Sequence, residues 1–193
     1  MPRKGGYRDQ GAARGTHASP ADPALKRDPL AYFAEEHLRQ REICTMLDDL
    51  VHSVQCDTHT AQFVLDHLQN YLPQHAINER NDLYPLLRSR SLGDPDTNET
   101  LDRLIVEHEK SHNMVTMMRN ALNRMIADQV AFNQVESAAV SLFIEHERRH
   151  LIVENAIVLP LARARLTKAD LKGLRERMQT RRDAYETGGD HAE

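Results

Sequence analysis

The stretch HAINERNDLYPLLRSR at residues 75–90 decides the fold, because it returns later in the chain as HLIVENAIVLPLARAR at residues 150–165. Laid over each other at an offset of 75 residues, the two stretches are identical at seven of sixteen positions. The shared residues include His75 and His150, Glu79 and Glu154, and Pro85 and Pro160. The same offset places His37 over His112. We therefore interpret the chain as two copies of one helical hairpin.

Apolar residues outside these stretches recur every three or four positions, which is the spacing of one face of an α-helix. After Asp28, a suitable N-cap, this face carries Leu30 and Phe33, and His37 lies in line with them. Helices are predicted at about residues 28–55, 60–90, 97–127 and 132–164, with a short last helix at about 167–182. Pro73 is expected to kink or split the second helix.

This order of elements predicts an all-α fold, an up-down-up-down four-helix bundle with a short C-terminal fifth helix. Residues 28–182 are expected to form the bundle. Residues 1–27 are rich in Gly, Ala, Pro and basic side chains and lack periodicity, so we predict a disordered N-terminal arm. Residues 183–193 are predicted to form a flexible tail.

The composition of the 193-residue chain favours a single soluble domain. The formal net charge is -4, which does not favour nucleic acid as a partner. No apolar run reaches the roughly 20 residues that span a bilayer, so no membrane association is expected. The N-terminus lacks the apolar stretch of a secretory signal, and we expect a cytoplasmic protein. Cys44 and Cys56 are too few for a disulfide framework or a cysteine zinc site.

The histidines carry the functional argument. His75 with Glu79, and His150 with Glu154, are four residues apart, so each pair lies on one face of its helix. Nitrogen and carboxylate donors together suit iron, manganese or zinc and suit calcium or magnesium poorly. The third helix adds two histidines at the same spacing, and the first helix adds one. The candidate metal ligands are His37, His75, Glu79, His108, His112, His150 and Glu154.

A less specific interpretation remains open, because a single HxxxE pair on a helix is usually a solvated surface pair. Burying this many polar groups without partners would cost roughly 1–3 kcal/mol for each group. The repeated pattern therefore favours a metal site over a metal-free bundle with hydrogen-bonded core histidines. His146, one turn before His150, is interpreted as a structural residue or a neighbour of the ligands.

Four motifs together resemble those of the hemerythrin-like (HHE cation-binding) family: Glu36-His37, HAINERNDLYP, EHEKSH at residues 107–112, and HLIVENAIVLP. The resemblance covers about residues 28–182. It implies a bundle that holds two iron ions, joined by an oxo or hydroxo bridge and by carboxylates of the second and fourth helices. The ligands that it implies are His37 and His75 for one iron, His108, His112 and His150 for the other, and Glu79 and Glu154 as bridges.

The resemblance implies a protein that binds O2 or NO for storage, delivery or sensing. Oxygen-carrying hemerythrins have a wider spacing between ligands on the last helix, and this difference weighs against reversible oxygen carriage. The alternative is a di-iron redox enzyme acting on peroxide or NO, or an iron donor for cluster repair; we favour the binding protein. A third hypothesis is an interaction protein whose metal only stiffens the bundle. The ferritin-like pattern of four glutamates with ExxH spacing is not matched.

Overall fold

The described part of the protein, residues 27–188 of a computed structural model, consists of helices joined by short connections and contains no β-strand. The α-helices are α1 (Pro29–His52), α2 (Thr58–Asp66), α3 (Leu72–Asn78), α4 (Tyr84–Arg90), α5 (Pro95–Asp128), α6 (Gln134–Val153), α7 (Leu159–Arg165) and α8 (Lys168–Gly188). The predicted all-α class is confirmed. The predicted arm at 1–27, apart from Arg27, and residues 189–193 of the predicted tail lie outside the described residues.

Side-chain caps begin several of these helices. Asp28 accepts hydrogen bonds from the backbone N–H groups of the first turn of α1, which satisfies donors that have no partner within the helix. Asn133 and Glu136 form a reciprocal capping box at the start of α6. Thr167 and Asp170 bond each other's backbone and side chain in the same way before α8. The connections between helices are therefore short and defined by local hydrogen bonds.

Three π-helical turns keep two of the four bundle helices continuous through a proline. They span His67–Tyr71, Glu79–Leu83 and Glu154–Val158, and each ends two residues before a proline. A proline cannot donate to the carbonyl four residues earlier, and its ring clashes with that carbonyl. In a π-helical turn the donor instead bonds the carbonyl five residues back, as the N–H of Tyr84 does to Glu79. Pro73 therefore does not split the second helix.

Four long helical segments pack as a ring. They are α1, the second segment from α2 to α4, α5, and the fourth segment from α6 to α7. Helix α1 contacts α2 and α6, and α5 also contacts α2 and α6. Helix α8 lies outside this ring, against α1 and the π-helical turn Glu79–Leu83. The protein is thus a four-helix bundle with a fifth helix on its side, and every helix of the ring reaches the same interior.

A polar layer divides the interior into two apolar clusters. One cluster is built mainly from Ile43, Leu47, Leu68, Met118, Leu122 and Phe143. The other is built mainly from Phe33, Leu83, Leu87, Leu104, Val158 and Leu159. Between them along the four ring helices the buried side chains are polar: His37, Gln40, His75, Glu79, His108, Ser111, Glu147, His150 and Glu154. Buried polar groups cost free energy unless they have partners, so this layer is better explained by a function than by packing.

Charged side chains attach helix α8 to the segment from α2 to α4, which carries His75 and Glu79. The buried carboxylate of Asp82 accepts hydrogen bonds from Arg177 Nε at 2.5 Å and from Arg181 at 2.8 Å. Arg181 also donates to Asn78. Helix α8 reaches Gly188, beyond the end that was expected near residue 182. From the outer side of the bundle, these contacts hold in place the π-helical turn that contains both Glu79 and Asp82.

Replacing Asp82 with Ala should lower the free energy of unfolding by about 2 kcal/mol, because two guanidinium groups lose a buried partner. Asp102→Ala is the matched control, since Asp102 pairs with Arg88 at the surface and is 68% exposed, and it should cost less than about 1 kcal/mol. Urea denaturation measures both. Equal losses in the two variants would show that α8 is not held by the buried carboxylate.

Candidate metal centre

Six of the seven candidate ligands meet in the polar layer. They form two groups whose ligand atoms all lie within 4.8 Å of one another. One group consists of His37, His75, Glu79 and Glu154, and the other of Glu79, His108, His150 and Glu154. All six residues are buried. The two glutamates belong to both groups, so the two groups share a pair of carboxylates.

In the first group, two imidazoles face the shared carboxylates through their Nε2 atoms. His37 Nε2 lies 3.4 Å from Glu79 Oε1 and 3.3 Å from Glu154 Oε2. His75 Nε2 lies 3.2 Å from Glu79 Oε2, as expected for residues one helical turn apart. Helix α1 therefore supplies one histidine, and the second bundle helix supplies a histidine and a carboxylate.

The second group repeats this arrangement with the other two helices. His108 Nε2 lies 3.2 Å from Glu79 Oε2, and His150 Nε2 lies 3.3 Å from Glu154 Oε1. The two imidazole Nε2 atoms of this group are 2.9 Å apart. Each of the four histidines thus turns the same ring atom toward the same small volume.

The structure pairs His37 with His108 and not with His112. The dipeptides Glu36-His37 and Glu107-His108 occupy matching places at an offset of 71 residues, whereas the HxxxE motifs match at 75. The difference of four residues is about one helical turn, so a single offset cannot align all helices. His112 consequently lies one turn farther along α5, is exposed, and belongs to neither group. His146 also lies outside both groups, with Nε2 at 3.0 Å from the Glu107 carbonyl oxygen.

Two carboxylates that the sequence analysis did not assign hold the outer ring nitrogens. Glu36 Oε2 lies 3.0 Å from His75 Nδ1, and Glu107 Oε2 lies 3.0 Å from His150 Nδ1. A partner of this kind fixes the tautomer of a histidine and turns its other nitrogen toward the site. The repeated Glu-His dipeptide was the sequence signal for both residues.

Tyr84 is a further residue of the site that the sequence analysis missed. Its hydroxyl donates a hydrogen bond of 2.6 Å to Glu154 Oε1, and its ring stacks on that of His108 at 5.9 Å between centroids. Burial and then the charge of Glu154 raise the pKa of the Tyr84 phenol well above its ordinary value, so it remains a donor. The repeat places Leu159 at the position equivalent to Tyr84. Among residues 27–188, a tyrosine hydroxyl therefore bonds Glu154 and not Glu79.

The electrostatic interactions of the layer favour charged pairs despite complete burial. Burial lowers the pKa of His75, but the charge of Glu79 and hydrogen bonds outweigh it and raise that pKa well above the ordinary value. Burial likewise opposes the charged form of His150, yet Glu154 and the other carboxylates raise its pKa to about 11. A cation that binds these side chains must therefore displace protons, and its affinity falls as the solution becomes more acidic.

The donor set fits a transition metal. Within the described residues, three buried ligand atoms of the two groups have no hydrogen-bond partner: His75 Nε2, Glu79 Oε2 and Glu154 Oε2. Leaving such atoms without a partner costs free energy, and a cation would satisfy them together. Imidazole nitrogen with carboxylate oxygen is a set that suits iron, manganese and zinc. The two groups overlap at Glu79 and Glu154.

A comparison with protein families agrees with this site. The model of the family described as hemerythrin HHE cation binding domain matches residues 28–162. The match begins at the N-cap of α1 and ends within α7, so it contains both donor groups and leaves α8 outside. No curated protein matches the chain. Among residues 27–188, no helix is long and apolar enough to cross a membrane.

Tyr84→Phe should lower the free energy of unfolding by about 1–2 kcal/mol, because Glu154 loses a buried hydrogen bond while the core keeps its ring. Tyr185→Phe is the control, since its hydroxyl bonds Asn70 at the surface. Both variants should be unfolded in urea after treatment with a chelator. A Tyr84 variant as stable as the Tyr185 variant would contradict the assigned bond.

Proposed function

The chain belongs to the family of hemerythrin HHE cation-binding domains, and we propose that it holds two iron ions and binds O2 or NO beside them. The observation that supports this most directly is the pair of donor groups that share Glu79 and Glu154. Such shared carboxylates keep two cations close together. Storage, delivery and sensing of the small ligand are all uses of such a centre.

In the proposed centre, His37 and His75 would hold one ion, and His108 and His150 would hold the other. Glu79 and Glu154 would be ligands common to both ions. His112, the seventh candidate, is left out because it is exposed and apart from both groups. Iron bound here would supply coordination positions at which a diatomic molecule binds.

The protein's own side chains prepare the site for such a ligand. Glu36 and Glu107 hold the rings of His75 and His150 in place. The two apolar clusters cover the polar layer from both sides and limit access of water. A pocket of about 50 Å³ reaches His75, His108 and His150, and it provides an entry for a small molecule.

The alternative is an enzyme that acts on peroxide or NO. The observation that favours it is a buried carboxyl group, Glu147, which lines the pocket without belonging to either donor group. A binding protein needs no such group beside its ligand, whereas an acid–base reaction uses one.

Metal content tests the centre itself. Protein loaded anaerobically with iron should contain about two ions per chain. His108→Ala should lose at least one of them, because a donor of the second group is gone, whereas His112→Ala should keep both. Elemental analysis of the purified variants measures this. Loss of iron from the His112 variant together with retention in the His108 variant would reverse the ligand assignment.

Addition of NO separates binding from turnover. The reduced, iron-loaded protein should give one stable change in absorbance with NO, and flushing with argon should reverse it. Continued consumption of NO in the presence of a reductant would favour the enzyme. His52→Ala serves as the control, because His52 is exposed and belongs neither to the donor groups nor to the lining of the pocket. No absorbance change in either protein would contradict ligand binding.

A further inference from the structure

Helix α8 binds the second bundle segment on both sides of Glu79. Its Arg181 donates hydrogen bonds to Asn78, the residue before Glu79, and to Asp82, three residues after it. Arg177 donates a further hydrogen bond to Asp82. Asn78 and Asp82 are both buried, so these bonds lie out of water. The two guanidinium groups therefore hold the backbone immediately before and after one of the two shared carboxylates.

Apolar side chains also hold α8 against the bundle. Leu174 and Met178 are fully buried and belong to the apolar cluster that contains Leu83 and Leu87. Burial of such side chains stabilises the packed position of the helix without any charged group. A variant that loses the arginine bonds should therefore keep α8 packed and release only the turn that the arginines contact.

The other shared carboxylate is held in a different way. At the offset of 75 residues, Ile157 occupies the position of Asp82, and an apolar side chain cannot bond a guanidinium group. Glu154 is instead bonded directly by the Tyr84 hydroxyl. Among residues 27–188, the polar groups that contact the Glu79 carboxylate belong to candidate ligand histidines. Further support for Glu79 therefore comes through its backbone.

The turn that begins at Glu79 has less internal support than an ordinary helical turn. It is π-helical, and Pro85 shortly after it has no N–H to donate. A side chain that binds a metal has to be held within about 0.5 Å of the required position by the residues around it. Hydrogen bonds from outside the turn supply this support, and here they come from α8.

We propose that Arg177 and Arg181 are positioning residues of the metal centre, and that helix α8 slows the loss of bound metal by holding the turn of Glu79. The proposal rests on the proposed function, since it needs ions at the donor groups, and it adds the element that retains them. Neither donor group contains a residue of α8. Helix α8 also lies outside the residues that the family matches. Its effect on the metal therefore passes through Asn78 and Asp82.

The double substitution Arg177→Gln and Arg181→Gln tests the proposal, because it removes both charges at Asp82 and leaves polar side chains. Wild type and variant are loaded with iron(II) without oxygen and mixed with an excess of a chelator that becomes coloured with iron(II). The variant should release iron about tenfold faster, as expected when hydrogen bonds to a buried charged group are lost. Arg181→Gln alone should give an intermediate rate, and it replaces the double variant if that protein does not fold.

The double substitution Lys168→Gln and Lys172→Gln is the matched control. Both lysines lie on the exposed side of α8, and their loss changes the net charge by the same amount. This variant should release iron at the rate of the wild type. Equal release rates in the arginine and lysine variants would overturn the proposal.

The rate of unfolding separates positioning of the metal ligand from general stabilisation of the fold. Unfolding of the iron-loaded proteins is followed in urea by far-UV circular dichroism, and the rate constant is extrapolated to buffer. In the arginine variant iron should leave much faster than the helices unfold, because only one turn is loosened. Equal rate constants for iron release and unfolding would make the arginines stabilisers of the whole fold and would overturn the proposal.

Iron content is measured in every sample before the chelator is added. Wild-type protein without iron would refute the proposed function and this proposal with it. Iron in the wild type, released at the same rate from the arginine variants, would overturn this proposal and leave the proposed function intact.

Discussion

Burial of ionisable groups in one layer is the constraint on which the rest of the structure depends. Four histidines and two glutamates lie between two apolar clusters, where charged groups are stable only if they are paired or bind a cation. Glu36, Glu107 and Tyr84 add hydrogen bonds to this layer. Helix α8 secures one of its turns from outside through the buried Asp82. Packing in this protein therefore serves to hold polar groups in register.

The sequence was sufficient for the fold class and for the six candidate ligands that the structure brings together, because both depend on local spacing. Apolar periodicity predicts helices, and HxxxE places two donors on one face. His112, predicted with the others, lies outside both donor groups. The reason is that the matching of α1 with α5 depends on connection lengths that a single offset does not describe. Tyr84 was missed because its role is a contact across the bundle, between residues 70 positions apart. A pattern of residues within one helix does not predict a contact between two helices.

The repeated hairpin pattern accounts for the symmetry of the donor set. The positions at which the two copies differ make the surroundings of the donors chemically different. Tyr84 faces Glu154, while the repeat places Leu159 at the matching position. The two shared carboxylates are therefore chemically different. The two donor groups are therefore built alike, but their surroundings differ.

The π-helical turns constrain the number of residues in the bundle helices. Each holds one residue more than the α-helical turn that it replaces, as if a single residue had been inserted without a loop. Deleting one residue between Glu79 and Pro85 would rotate the following segment by about 100° about the helix axis. Tyr84 and Leu87 would then turn away from the interior. A substitution in these helices changes one side chain, whereas a deletion here would remove the tyrosine's contact and part of an apolar cluster at once.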